Sequence, residues 1–325
     1  MSPIPILYSP NQKRGQVSPL IYLLLGFLVF YFMWKDVDLY VFIHKCNSER
    51  RNSSRRLSPE DTVISTISVK YLMQPPTIHY LELPFAEWLE HTFNLSYVMS
   101  PNFVSFSGVA VGFTAAFLIS QCLRWSTLAG VIVYKLRDLG DSLDGILARG
   151  VGNLMLPTPG TSGYYIDGWC DIFSETALIY SVGVLIHRAE KIKTVMDDRK
   201  SSMMMKLVSR FFAPLSFSVW FLGVQSIVSA VGWNWTTGQL HLLLETSDQH
   251  HVNTHQLATP LCWLVVFFWR ILNPHMLTQA LLVSLLLDKC HTWVEMTKYI
   301  VTIPLSILCA CSYLLVYNLK QGQRN

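Results

Sequence analysis

The chain has 325 residues, of which 51% are hydrophobic and 14% charged, with a mean hydropathy of +0.33. A soluble chain carries about a quarter charged residues, so this composition excludes an ordinary soluble protein and points to a membrane. A formal net charge of +4 without a basic stripe interleaved with aromatics gives no footprint for a nucleic-acid partner, and the seven cysteines have no zinc-site spacing or disulfide framework.

Residues 1–17 form a polar tail containing Lys13 and Arg14, expected in the cytosol. The apolar run over 18–34 is just long enough to span. Phe32-Met33-Trp34-Lys35 offers no small-residue cleavage site, so the run reads as a retained signal-anchor helix. Residues 35–78 are mixed and charged, with Arg50, Arg51, Arg55 and Arg56 around Asn52, and read as a lumenal stem. Over 79–99, Phe85, Trp88, Leu89 and Phe93 recur at helical spacing opposite Glu82, Glu87 and Glu90, which predicts an amphipathic helix lying at the membrane interface. Pro101-Asn102 opens a span over 103–122, where Gly108, Gly112, Ala115 and Ala116 permit close helix packing. Asn102 either caps that helix or faces a ligand.

Further spans are expected over 125–149, 164–186, 211–233, about 258–287 and about 294–317. Arg270, Asn273, Pro274 and His275 interrupt the fifth of the core spans. Pro274 should kink it, and the polar residues either line a path for a substrate or satisfy one another between helices. The predicted fold is an all-α polytopic membrane protein: a six-helix core over 100–318 preceded by one amino-terminal anchor, about seven spans, with a tail over 319–325.

Sidedness follows from the loops. The connection over 187–210 carries Arg188, Lys191, Lys193, Arg199, Lys200, Lys206 and Arg210, whereas that over 234–257 has no lysine or arginine. The positive-inside rule puts the first in the cytosol and the second in a lumen. Asn52-Ser-Ser, Asn94-Leu-Ser and Asn234-Trp-Thr, the glycosylation candidates, all fall on the side assigned to the lumen. His241, His250, His251 and His255 gather in the lumenal loop at no recognisable metal spacing.

The chemistry concentrates between Asp141 and Asp171. Asp141 and Asp144 are three apart at the end of one span, and Asp167 and Asp171 are four apart at the start of the next, so each pair shares a helix face. Packed as an antiparallel hairpin, the two helices bring the four carboxylates together at one membrane face. Such a cluster repels itself unless hard divalent cations, Mg²⁺ or Mn²⁺, bridge it. Gly145, Ala148 and Gly163 keep the adjoining surface shallow, and Arg149 offers a planar fork for phosphate oxygens. The pattern reads as a two-metal phosphoryl-transfer site.

These residues resemble a family signature. Asp-x-x-Asp-Gly-x-x-Ala-Arg, a spacer and Gly-x-x-x-Asp-x-x-x-Asp is the pattern of the CDP-alcohol phosphotransferases, and Asp141, Asp144, Gly145, Ala148, Arg149, Gly163, Asp167 and Asp171 match every specified position. The spacer, Gly150 to Ser162, is longer than is usual in that family. The resemblance implies two Mn²⁺ or Mg²⁺ ions held by Asp141, Asp144, Asp167 and Asp171, with Asp171 also as general base. It further implies a CDP pocket shaped by Asn102, Gly145, Ala148, Arg149 and Gly163, and a homodimer. The extra amino-terminal helix and the phrase Gly160-Thr-Ser-Gly163-Tyr-Tyr-Ile-Asp167-Gly resemble the invertebrate ceramide phosphoethanolamine synthase branch. That branch implies CDP-ethanolamine as donor, ceramide as acceptor, CMP as leaving group and an active site facing the Golgi lumen.

Other readings are a related enzyme that transfers phosphoethanolamine or phosphocholine to diacylglycerol, one that uses inositol, a cation transporter, and a silent scaffold. A transporter spreads its acids through the membrane depth, whereas these cluster at one end.

Overall fold

The computed structural model describes residues 19–52, 69–149, 162–194, 216–244 and 259–322. The spacer after Gly150, Lys13, Arg14, Arg55, Arg56, the basic stretch from Arg199 to Arg210, and His250, His251 and His255 lie outside the described residues. Among the described residues there are helices and no strand.

The elements are α1 (Pro19–Asn52), α2 (Val69–Met73), a π-helical turn (Ile78–Glu82), α3 (Leu83–Phe93), α4 (Pro101–Ser120), α5 (Arg124–Arg149), α6 (Ser162–Thr194), α7 (Phe217–Leu244), α8 (Pro260–Leu272), α9 (Pro274–Leu286), α10 (Cys290–Ile300) and α11 (Thr302–Gly322). Among the described residues, four stretches are long and apolar enough to cross a membrane: Pro19–Lys45, Pro101–Ser120, Ser162–Arg188 and Thr302–Gly322. The pair α8 and α9, bent by 41°, makes a fifth if counted as one crossing. The protein is therefore a multi-pass membrane protein. The sequence reading expects about seven spans; α5 drops out of this apolar count because its length holds the charged residues Lys135, Arg137, Asp138, Asp141 and Asp144. In α7, the polar residues Gln225, Ser226, Ser229 and Asn234 thin the hydropathy.

Several boundaries differ from those read in the sequence. α1 does not stop near Trp34 but runs on through the first part of the expected stem. Asp36, whose charge makes that stretch look like a loop, accepts from Arg270 Nη2 at 2.7 Å and from the Tyr80 hydroxyl at 2.7 Å. α7 reaches Leu244, so Asn234 lies inside a helix and not at the start of a loop. The sixth core span divides: α10 ends at Ile300 and α11 begins at Thr302. Pro304 has no N–H for the Ile300 carbonyl, so the helical ladder is interrupted one turn before it.

The kink expected at Pro274 is present, and the Arg270 carbonyl that the proline leaves without its N–H accepts from Asn273 Nδ2 at 3.2 Å. Asn273 caps α9 by accepting from the Met276 N–H at 2.8 Å, and the Leu272 carbonyl accepts from Ser229 Oγ at 2.5 Å. Arg270, 1% exposed, is consumed in contacts between helices, which decides between the two readings of that residue. It donates to the Leu72 carbonyl at 2.7 Å, meets His79 Nδ1 at 3.2 Å and lies over the Tyr80 ring.

α3 turns its aromatic face outward: Phe85, Trp88 and Phe93 are exposed, while Leu83, Ala86 and Glu90 are buried. Glu82, on the acidic side, accepts from Lys135 Nζ of α5 at 2.5 Å, so that side is used against protein. An outward aromatic face suits the headgroup level of a bilayer. α4 is the central packing element, lying against both α5 and α6. A Cβ on Gly112 would stand 2.9 Å from Ser174 of α6, and one on Gly130 would stand 2.9 Å from the Ala115 carbonyl. Glycine at these positions lets three helices approach backbone to backbone.

His79 gives a pH prediction. Burial, and after it the Arg270 charge, hold its imidazole down to about 3. The neutral ring is thus the native form, and its folded pKa lies below the unfolded value of about 6.5. Its contribution is complete above pH 6.5 and is lost as the pH falls from there toward 3, because the unfolded chain then binds the proton more readily. Between pH 7.5 and 5.5 the detergent-solubilised protein should lose on the order of 1 kcal/mol from this group. His79→Asn should flatten that part of the thermal-stability profile; an unchanged slope would remove His79 as its source.

Candidate active site

The four signature acids sit where the sequence places them, but the frame that holds them is not a hairpin. α5 and α6 make little direct contact; each packs on α4, and a cavity of about 1030 Å³ opens between them. Asp141, Asp144, Gly145, Ala148 and Arg149 of α5 line it, as do Gly163, Asp167 and Asp171 of α6 and Asn102 of α4. The spacing of three on α5 and four on α6 brings both acid pairs onto the faces that look into this space.

Asp141, Asp144 and Asp167 each offer one carboxylate oxygen, and these three atoms lie within 4.8 Å of one another. Asp144 is buried and its Oδ2 accepts from Ser105 Oγ of α4 at 2.6 Å. Asp167 Oδ1 is buried with no hydrogen-bond partner. Three converging hard oxygens, one of them orphaned and one oriented by a hydroxyl, fit a divalent cation. Asp171 is not one of this mutually close trio but adjoins it, sharing a side-chain hydrogen bond with Asp141. Its Oδ1 accepts from Arg137 Nη2, and the same guanidinium reaches Asp138 Oδ1 at 3.4 Å and Asp141 Oδ1 at 4.0 Å. Three of the acids can thus hold a metal ion, and the fourth is positioned by an arginine.

Gly145 has a specific use. A Cβ there would stand 2.7 Å from Arg149 Nη2, so the missing side chain is what lets the guanidinium fold back over α5 toward the acids. Asn102 does not cap α4. Ser100 Oγ accepts from the Phe103 N–H at 3.2 Å, and Asn102 is left to face the cavity beside Gly163. Among the sequon asparagines, Asn52 is the last residue of α1, Asn94 is exposed in the left-handed turn that closes α3 at φ 49°, and Asn234 lines the cavity wall with its Nδ2 donating to the Ala230 carbonyl at 2.9 Å.

Some lining residues are absent from the sequence reading. Arg137 precedes Asp141 by four and Glu175 follows Asp171 by four, so helical spacing alone places both on the faces already marked by the acids. Lys70 and Gln74 reach the cavity from α2 and the turn after it, a connection that no local pattern shows. Burial, then the Arg149 charge, holds the Lys70 ammonium below the ordinary lysine range, against the pull of Asp167, Asp141 and Asp171.

The cavity thus sets cationic side chains beside acids that could hold a divalent cation. The family model for ceramide phosphoethanolamine synthase matches residues 12–320. The ceramide phosphoethanolamine synthase of Drosophila melanogaster is 29% identical over 251 residues, covering 72% of this chain and 63% of that protein. This chain thus spans less than two thirds of the length of the curated relative it matches. No solved structure matches it. With the match running through the helices that build the cavity, the chain belongs to the ceramide phosphoethanolamine synthase family.

Proposed function

We propose that this protein transfers phosphoethanolamine from CDP-ethanolamine to the primary hydroxyl of ceramide and releases CMP, as a CDP-alcohol phosphotransferase. The observation that carries the reading is the convergence of Asp141, Asp144 and Asp167 within 4.8 Å beside an arginine-held Asp171, on a cavity walled by membrane helices. Two Mn²⁺ or Mg²⁺ ions on these aspartates would supply neutralisation of the donor diphosphate and of the departing CMP.

The chain's own groups do the rest. Arg149, folded over Gly145, and Lys70 offer cationic contacts to diphosphate oxygens, and Asn102 and Gly163 shape the nucleotide end. Asp171 takes the proton of the ceramide hydroxyl as its oxygen attacks the β-phosphorus. The bond from that phosphorus to the bridging oxygen breaks, and the electron pair leaves with CMP. Arg137 holds Asp171 at the required place. The lipid acceptor enters sideways between helices, and the exposed aromatic face of α3 keeps that helix at the membrane surface.

The same reading takes α5 and α7 as crossings along with the apolar helices, which gives an anchor and a six-helix core. It places the site on the lumenal side of the Golgi membrane. The basic connection after α6 supports this orientation, since such loops stay in the cytosol.

The test is product formation in liposomes by purified protein with Mn²⁺ and labelled CDP-ethanolamine, with ceramide and diacylglycerol supplied in parallel and Asp171→Ala as the blank. Label in ceramide phosphoethanolamine that vanishes in the variant is the expected result. Label confined to the diacylglycerol product overturns the acceptor, and no label in either overturns the transfer.

A further inference from the structure

The cavity continues past the signature acids. One turn beyond Asp171 on α6, Glu175 lines the same space. Its Oε1 accepts from Ser226 Oγ of α7 at 2.6 Å and from Thr278 Oγ1 of α9 at 3.0 Å. Both hydroxyls are spent on one oxygen. Among the described residues no hydrogen bond reaches Oε2, and no lysine, arginine or histidine lies within ion-pair distance of the carboxylate. An ionisable side chain kept inside a membrane helix without a counter-ion is costly unless a ligand supplies the opposite charge.

The surroundings fit a small organic cation. Trp233 lines the same cavity, and aromatic faces attract ammonium groups, whereas the Tyr134 ring there already carries the Arg137 guanidinium 5.8 Å from its centroid. Four residues advance an α-helix by about 6 Å. That step from Asp171 to Glu175 is comparable with the chain of bonds that separates phosphorus from nitrogen in an extended phosphoethanolamine. A β-phosphorus beside the aspartates therefore leaves the nitrogen within reach of Glu175.

Resting on the transfer reading above, we propose that Glu175 receives the primary ammonium of the donor's phosphoethanolamine and thereby selects the donor. A primary ammonium donates a hydrogen bond to Oε2, whereas a trimethylammonium has no N–H to give and is bulkier. A polar group built to be paired discriminates against the analogue that leaves it unpaired.

Equilibrium binding of CDP-ethanolamine, CDP-choline and CMP to the purified protein in Mn²⁺ tests this without turnover. Wild type should prefer CDP-ethanolamine. Glu175→Gln, which keeps an acceptor for Ser226 and Thr278, should weaken CDP-ethanolamine about ten- to a hundredfold, the worth of a hydrogen bond to a charged group. CMP affinity should stay unchanged, and Glu175→Asp should retain part of the preference. An unaltered preference in Glu175→Gln, or an equal loss of CMP affinity, overturns the assignment. Product formation in the same preparations judges the transfer reading separately: a Glu175-dependent binding preference without product supports the ammonium site and sinks the transfer.

Discussion

Asp171→Asn should lower phosphoethanolamine transfer by about 10²–10⁴-fold, the range for losing a positioned general base, while Mn²⁺-dependent binding of CDP survives. Asp144→Asn should abolish both. The difference comes from the geometry. Asp144 belongs to the trio whose oxygens lie within 4.8 Å of one another, and Ser105 orients it. Asp171 belongs to the Arg137 group at the edge of that trio. An amide at 171 still accepts from Arg137, so the local packing is kept, but it cannot take a proton from the acceptor hydroxyl. An amide at 144 gives up the negative charge that a divalent cation needs. Calorimetric titration of CDP with and without Mn²⁺, beside a product assay, separates the two effects. Equal loss of CDP binding in both variants would show that Asp171 is as much a part of the ion-binding set as Asp144, and would leave the proton without an assigned acceptor.

The acids were legible in the sequence because they obey helical periodicity: spacings of three and four put carboxylates on one face whatever the rest of the chain does. The packing that makes a cavity of them was not. Nothing in Asp141 to Asp171 says that α5 and α6 lean on α4 and not on each other; that is set by Gly112 and Gly130, where a Cβ would meet Ser174 and the Ala115 carbonyl. The extent of α1 was hidden for a different reason. Lys35, Asp36 and Asp38 interrupt the apolar run and mimic the start of a soluble stem, yet the partner that neutralises Asp36 is Arg270, 234 positions away. Arg270 posed the same puzzle from the other side, as an intramembrane charge with no neighbour of opposite sign in its own helix. Asn102 was ambiguous between cap and ligand until Ser100 proved to be the cap. Lys70 could not have been placed at all, since α2 reaches the cavity through tertiary packing that no local period encodes.

Arg270→Met should destabilise the fold by about 3–5 kcal/mol, as removing one partner of a buried ion pair does, a large part of the roughly 5–15 kcal/mol that holds a typical domain together. Asp36, Leu72 and His79 all lose a contact at once, and they tie α1, α2 and the π-helical turn to α8. Combining Arg270→Met with Asp36→Leu removes both charges and should recover much of the thermal midpoint in detergent, because an apolar pair avoids the buried unpaired carboxylate. A midpoint in Arg270→Met equal to that of wild type would mean that the pair carries no stability. The double variant also addresses function. Methionine cannot donate to the Leu72 carbonyl, so α2 loses one of its tethers even when the fold is restored, keeping that of the Met73 carbonyl to Trp233 Nε1 at 3.1 Å, and α2 is what brings Lys70 to the cavity. Stability that returns without transfer activity would therefore locate the contribution of α2 at the site, whereas recovery of both would reduce α2 to a packing element.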